Sequence, residues 1–149
     1  MRQVPDRIDR LPELHLVFRA DPASIRRSLA GMLFCPPLSG LTRDAQGMAE
    51  LVLAEALNNV AEHAYGEEGG PVEITLRAEA TGIRCLIVDA GRSMPDGRLP
   101  EGRLPACTGA TLQDLPEGGF GWHLIRTLCA DLAYIRNADR NHLMFLLPF

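Results

Sequence analysis

The chain has 149 residues, 46% of them hydrophobic and 23% charged, and a formal net charge of −4. That is enough for one domain with a real core; the acidic balance excludes the basic footprint of a nucleic-acid binder, and no run approaches the roughly 18 apolar residues of a membrane span. All 15 basic residues are arginine, which excludes a Walker A phosphate loop, a pyridoxal-phosphate Schiff base and a kinase-type strand lysine.

The opening MRQVPDRIDRLPELH has no apolar segment of a secretory signal, so a cytoplasmic location is expected. Cys35, Cys85, Cys107 and Cys129 are far apart and form no C-x-x-C pair, which reads as reduced thiols and not as a zinc site. In ELHLVFRA (13–20), Leu14, Leu16 and Phe18 alternate with Glu13, His15 and Arg19, predicting a first strand. Asp21-Pro22 then supplies an N-cap and a proline at the first helical position, so a helix is expected over about 22–34. CPPLSG breaks it. Thr42 caps a second, long helix expected to run to about residue 64, with Gly66 as its C-terminal cap. PVEITLRAEA (71–80) and IRCLIVDAG (83–91) predict a hairpin turning at Thr81-Gly82.

Residues 92–120 are rich in proline and glycine and contain the near-duplication GRLPEGRLP, the mark of a functional lid or a disordered loop. GWHLIRTLCA (121–130) reads as a helix. LAYIRNA and HLMFLLPF close the chain as a strand pair around a turn at 139–141. The order β α α β β, lid, α β β predicts one α+β domain: a two-layer sandwich with helices on one face of a mainly antiparallel sheet.

The second helix poses the functional question. Placed on a wheel over 48–64, Leu53, Leu57, Val60 and Ala64 form an apolar stripe, whereas Glu50, Asn58, Ala61 and Glu62 face solvent. Glu55, Asn59 and His63 recur every four residues in a third sector with Met48, Val52 and Ala56, lining a half-buried wall. A carboxylate and an amide there need partners, because unpaired burial costs about 1–3 kcal/mol per group. Those partners could be other groups of the fold or a ligand. Downstream, VDAGRSMP (88–95) places Asp89 at a strand end and Gly91 after it. This is a turn, or an acceptor for a nucleobase amine beside a glycine that admits close backbone approach. EGGFGWHLI (117–125) sets Gly118, Gly119 and Gly121 before a helix. This is a hinge, or an anion site built from free N–H groups.

The three stretches in this order resemble the GHKL ATPase superfamily, which includes gyrase B, sensor histidine kinases and the bacterial anti-sigma-factor serine kinases. EALNNVAEHAY is similar to its N box, DAGRSMP to its first glycine box and GGFGWHLI to its second, and the likeness runs from about residue 14 to the C-terminus. The compact anti-sigma-factor serine kinases resemble the chain most. The resemblance implies the GHKL (Bergerat) fold, ATP and Mg²⁺ as cofactors, Asn59 as the metal ligand and Glu55 as general base. It implies Asp89 as reader of the adenine amine, with Gly91 and Met94 beside it. It places the phosphates against the stretch holding Gly118, Gly119, Phe120, Gly121, Trp122, His123 and Leu124. His63 contacts the ligand or supports its neighbours, and Arg92, Arg98 or Arg103 in the lid reaches the γ-phosphate. Arg92-Ser93 stands where many members have another glycine.

The implied activity is an ATP-dependent protein serine kinase acting as an anti-sigma factor. Its expected substrate is an anti-anti-sigma (STAS-type) partner, with a sigma factor as a further partner. Homodimerisation follows from the resemblance alone. A non-catalytic nucleotide-binding module that sequesters a partner and a detached histidine-kinase-like catalytic domain are the alternatives. No nucleic-acid or membrane partner is expected.

Overall fold

The computed structural model describes residues 10–102 and 120–149. β1 (Glu13–Arg19) is the alternating segment, with Leu14, Leu16 and Phe18 packed toward the core. α1 (Pro22–Leu33) starts as its sequence dictates: Asp21 Oδ1 accepts the Ser24 N–H at 2.8 Å and Pro22 takes the first turn. α2 (Arg43–Asn59) is capped by Thr42 Oγ1, which accepts the Ala45 N–H at 3.2 Å. The helix does not stay α-helical to residue 64. It widens into a π turn over Val60–Tyr65 and stops at Gly66, whose φ of 70° suits a residue without a Cβ.

That widening corrects the wheel. A π turn holds more residues per turn than an α-helix, so positions past Asn59 rotate away from the 100° prediction. Ala61, expected in solvent, is buried, and His63, expected half-buried, has a side chain 55% exposed.

β2 (Pro71–Glu79) and β3 (Gly82–Asp89) form the expected hairpin. Glu79 pairs with Gly82, so the turn is Ala80-Thr81, one residue earlier than predicted. Gly82 is itself a strand residue, packed where a Cβ would strike the Leu147 carbonyl. α3 (Phe120–Leu128) leads into β4 (Ala130–Asn137) and β5 (Arg140–Pro148). The closing turn is Ala138-Asp139, both with positive φ (50° and 61°). This matches the twist of a two-residue hairpin. Asn141, placed in the turn by the sequence reading, belongs to β5.

The five strands form one sheet in the order β1-β2-β3-β5-β4, every neighbouring pair antiparallel. Ile74, Leu76, Cys85, Ile87, Phe145 and Leu147 project from one face into a single buried cluster. Ile25 and Met32 of α1, Leu53 and Leu57 of α2, and Trp122 and Ile125 of α3 meet them there. Each large side chain so buried contributes roughly 1.5–3 kcal/mol of transfer free energy. This is the expected α+β sandwich, with β3 as the middle strand of its sheet.

Candidate functional site

A cavity of about 470 Å³ lies between the end of α2 with its π turn, the loop after β3, the start of α3 and the β4–β5 hairpin. Its size falls within the roughly 300–1,000 Å³ of small-molecule sites, and like them it has mostly apolar walls with a few polar groups. Ala56, Val60, Met94, Trp122 and Leu143 give the apolar surface, and Asn59, His63, Asp89, Arg92 and Asn141 the polar points.

Asn59 sits on the last α-helical turn of α2, and its Nδ2 is buried with no hydrogen-bond partner among the described residues. Buried polar atoms are satisfied in about nine cases of ten. An unmatched amide on a cavity wall therefore suits a group from outside the chain. Its N–H can donate to a phosphate oxygen, and with the amide turned over its carbonyl oxygen can ligate a hard cation. Among the described residues no cluster of three His, Cys, Asp or Glu side chains could hold a metal. A cation at Asn59 would therefore keep waters and nucleotide oxygens for the rest of its shell, as Mg²⁺ does.

Asp89 ends β3 and is only 6% exposed. Its Oδ1 accepts the Gly91 N–H at 2.9 Å and the Asn141 Nδ2–H at 2.8 Å, and its Oδ2 accepts no hydrogen bond from the described residues. Burial pushes its pKa above the usual carboxylate range, and the hydrogen bonds from Asn141 and Gly91 oppose that shift. One carboxylate oxygen is thus held and the other is left for a donor in the cavity.

Within the fold, Gly91 is needed for a close approach of its own. A Cβ there would lie 2.5 Å from the Ala64 carbonyl oxygen, so the close approach is to the π turn. The adjacent Arg92 N–H donates to that same oxygen at 2.8 Å. Gly91→Ala should destabilise the fold by about 2 kcal/mol, because backbone must move to admit the methyl group. Thermal unfolding checks this. Tyr65 holds the loop from the same side: its hydroxyl accepts the Ala90 N–H at 2.8 Å and donates to the Pro71 carbonyl at 2.6 Å.

Glu55 lies one helical turn before Asn59 but does not line the cavity. Its carboxylate fills the space where Gly121 would carry a Cβ, so the acid rests against the first turn of α3. Of the α3 residues singled out by the sequence, only Trp122 lines the cavity. Phe120 is exposed, its ring 6.5 Å from that of His123, and Leu124 is half-buried. His123 Nδ1 is 3.2 Å from the Gly102 carbonyl oxygen. Gly118, Gly119, Arg103 and Cys107 lie outside the described residues. Arg92 is on the cavity wall and Arg98 is not.

The described part of the expected lid is anchored, not structureless. It makes a 3₁₀ turn at Pro95–Gly97, and Arg126 Nε donates to the Pro100 carbonyl at 2.9 Å. The sequence reading missed Tyr134 and Asn141, which face the cavity from β4 and β5. Strand alternation could have found Asn141, since Leu143, Phe145 and Leu147 point inward and position 141 is in phase with them. Burial raises the Cys129 thiol to about 12 and lifts Cys85 well above the usual thiol range, so neither is a thiolate nucleophile at neutral pH.

The sequence matches the histidine kinase-like ATPase domain over residues 18–146. It is similar to a serine-protein kinase, RsbW, of Halalkalibacterium halodurans, 34% identical over 89 residues that make up 60% of this chain and 54% of that protein. It is similar as well to the RsbW of Bacillus thuringiensis and of Bacillus cereus, 27% identical over 122 residues in each case, 82% of this chain and 74% of the relative. The chain thus spans about half the length of the first of these relatives and about three quarters of the others. Among the described residues no helix is long and apolar enough to cross a membrane. With a two-layer sandwich, an acid at the end of β3 and an amide on α2 facing one cavity, and a match covering most of its length, the chain belongs to the histidine kinase-like ATPase domain family.

Proposed function

We propose that the chain binds magnesium ATP in this cavity and transfers the γ-phosphate to a serine hydroxyl of a partner protein. The observation that carries this reading is the pairing, on the walls of one apolar cavity, of two polar groups unmatched among the described residues, the Asp89 Oδ2 and the buried Asn59 amide. Asp89 accepts the exocyclic amine of the base. The walls of Met94, Val60 and Leu143 cover the base faces. Asn59 takes the metal–phosphate end, where Mg²⁺ would neutralise phosphate charge and hold the leaving and transferred groups in line. Glu55, about 6 Å along the helix from Asn59, takes the proton of the serine hydroxyl as its oxygen bonds to the γ-phosphorus. The bond to the β-phosphate oxygen breaks and ADP leaves with the electron pair.

The names of the similar kinases support protein serine as acceptor. An anti-sigma role, with a STAS-type anti-anti-sigma protein as substrate and a sigma factor as second partner, follows from the family resemblance. A second reading is favoured by the position of Glu55. Because its carboxylate rests on Gly121 and not on the cavity wall, the domain could bind nucleotide and sequester a partner without catalysis.

The test is incubation with ATP labelled in the γ-phosphate, Mg²⁺ and the proteins encoded beside this one. An acid-stable phosphoserine on one of them is the expected result. An acid-labile product indicates histidine as acceptor, and nucleotide binding with no labelled protein indicates the non-catalytic module.

A further inference from the structure

Asn141 is buried in β5, 5% exposed, and every hydrogen-bonding position of its amide is used. Its Oδ1 accepts from the Tyr134 hydroxyl at 2.5 Å and from Arg136 Nη1 at 2.9 Å. Its Nδ2 donates to Asp89 Oδ1 and to the Arg92 carbonyl, each at 2.8 Å. The orientation of the amide is fixed by chemistry, since a guanidinium can only donate and a carbonyl can only accept. Two further bonds run from the same side chains to the loop: Arg136 Nη1 donates to the Gly91 carbonyl at 2.9 Å, and the Tyr134 hydroxyl accepts the Met94 N–H at 3.0 Å.

The hairpin β4–β5 therefore grips the backbone of 91–94 and one oxygen of Asp89 through a single buried amide. A carboxylate can swing about its last bond, which has two broad minima. With Oδ1 engaged by Asn141 and Gly91, it is held so that Oδ2 is the oxygen left without a hydrogen bond among the described residues. We propose that Asn141, braced by Tyr134 and Arg136, is a positioning residue that sets base selectivity, making the site accept a 6-amino purine and reject a 6-oxo purine. A fixed bare acceptor rewards an amine donor, whereas a carbonyl brought to it meets lone pairs with no proton between. A carboxylate free to turn would discriminate less. This inference rests on the nucleotide reading above.

The test compares the affinities of magnesium ATP and magnesium inosine triphosphate, whose bases exchange an amine for a carbonyl at position six and an acceptor for an N–H at N1, for the parent chain, Asn141→Ala and Tyr134→Phe. Thermal unfolding verifies that each variant folds. The parent should prefer ATP by about a hundredfold, the value of a hydrogen bond to a charged acceptor. Asn141→Ala should shrink that preference by about tenfold, and Tyr134→Phe, which removes one brace and keeps the Asp89 contact, by a smaller factor. A purely structural role would lower both affinities together and leave their ratio alone. Should Asn141→Ala not fold, Tyr134→Phe decides alone. An unchanged ratio in the folded variants overturns the assignment while the nucleotide reading stands; a parent that binds neither nucleotide overturns both.

Discussion

Asp89→Asn should abolish nucleotide binding and leave the chain folded. The carbonyl of the substituted amide can still accept from Gly91 and Asn141, so the internal network persists. Its nitrogen then takes the place of Oδ2 and opposes the base amine, donor against donor. Losing a hydrogen bond to a charged acceptor costs about 1.5–3 kcal/mol, or at least about tenfold in affinity, and the opposed donors add to that. Calorimetry should register no binding to the variant at concentrations that saturate the parent; binding of parental strength would remove Asp89 from the site.

Stability should move the other way with pH. Burial holds the Asp89 pKa above its unfolded value. The favourable contribution of its protonated form is therefore complete below the ordinary carboxylate range and is lost as pH rises through the raised value. Above that raised value the parent carries a buried charge that the Asp89→Asn variant lacks, so the variant should be no less stable there. The advantage of the parent should show only in acid, which thermal unfolding across pH reads directly.

Glu55→Gln should keep ATP affinity and lower phosphate transfer by roughly 10²–10⁴-fold, the usual contribution of a positioned base. The substitution keeps shape and removes only basicity. Gly121→Ala supplies the second arm. A methyl group at 121 takes the space of the Glu55 carboxylate and must push it aside. If Gly121 acts through Glu55, the alanine should slow transfer in the parent and add nothing in the Glu55→Gln background, a non-additive pair. Single-turnover kinetics with the labelled partner measures all four forms. Full activity of Glu55→Gln would support the non-catalytic reading of this acid, and additive losses would separate Gly121 from it.

Most of the fold was legible because its signals are local. The alternation of Leu14, Leu16 and Phe18, the Asp21-Pro22 and Thr42 caps, and Gly66 at a positive φ each follow from a few neighbouring residues. Asn59 stood out because an amide on a half-buried helix wall needs a partner, and Asp89 as a strand-end acid before a glycine, a turn residue or an acceptor. What escaped depends on distance. Asn141 was read as a turn residue because asparagine favours turns, and its meaning comes from pairing with Asp89 52 positions away. Gly91 also makes room inside the fold, for the Ala64 carbonyl of a π turn that a regular helical wheel does not anticipate. The same π turn exposes His63 and buries Ala61. The wall of Glu55, Asn59 and His63 divides accordingly: Asn59 and His63 face the cavity and Glu55 faces α3.

The central claim is that the Asn59 amide and the Asp89 carboxylate address opposite ends of the same nucleotide. Isothermal titration of the folded chain with ATP, with and without Mg²⁺, tests it most directly. The account predicts saturable binding at a single site, tighter with the metal present. No heat at millimolar ATP with Mg²⁺, from material whose unfolding transition is intact, would contradict it.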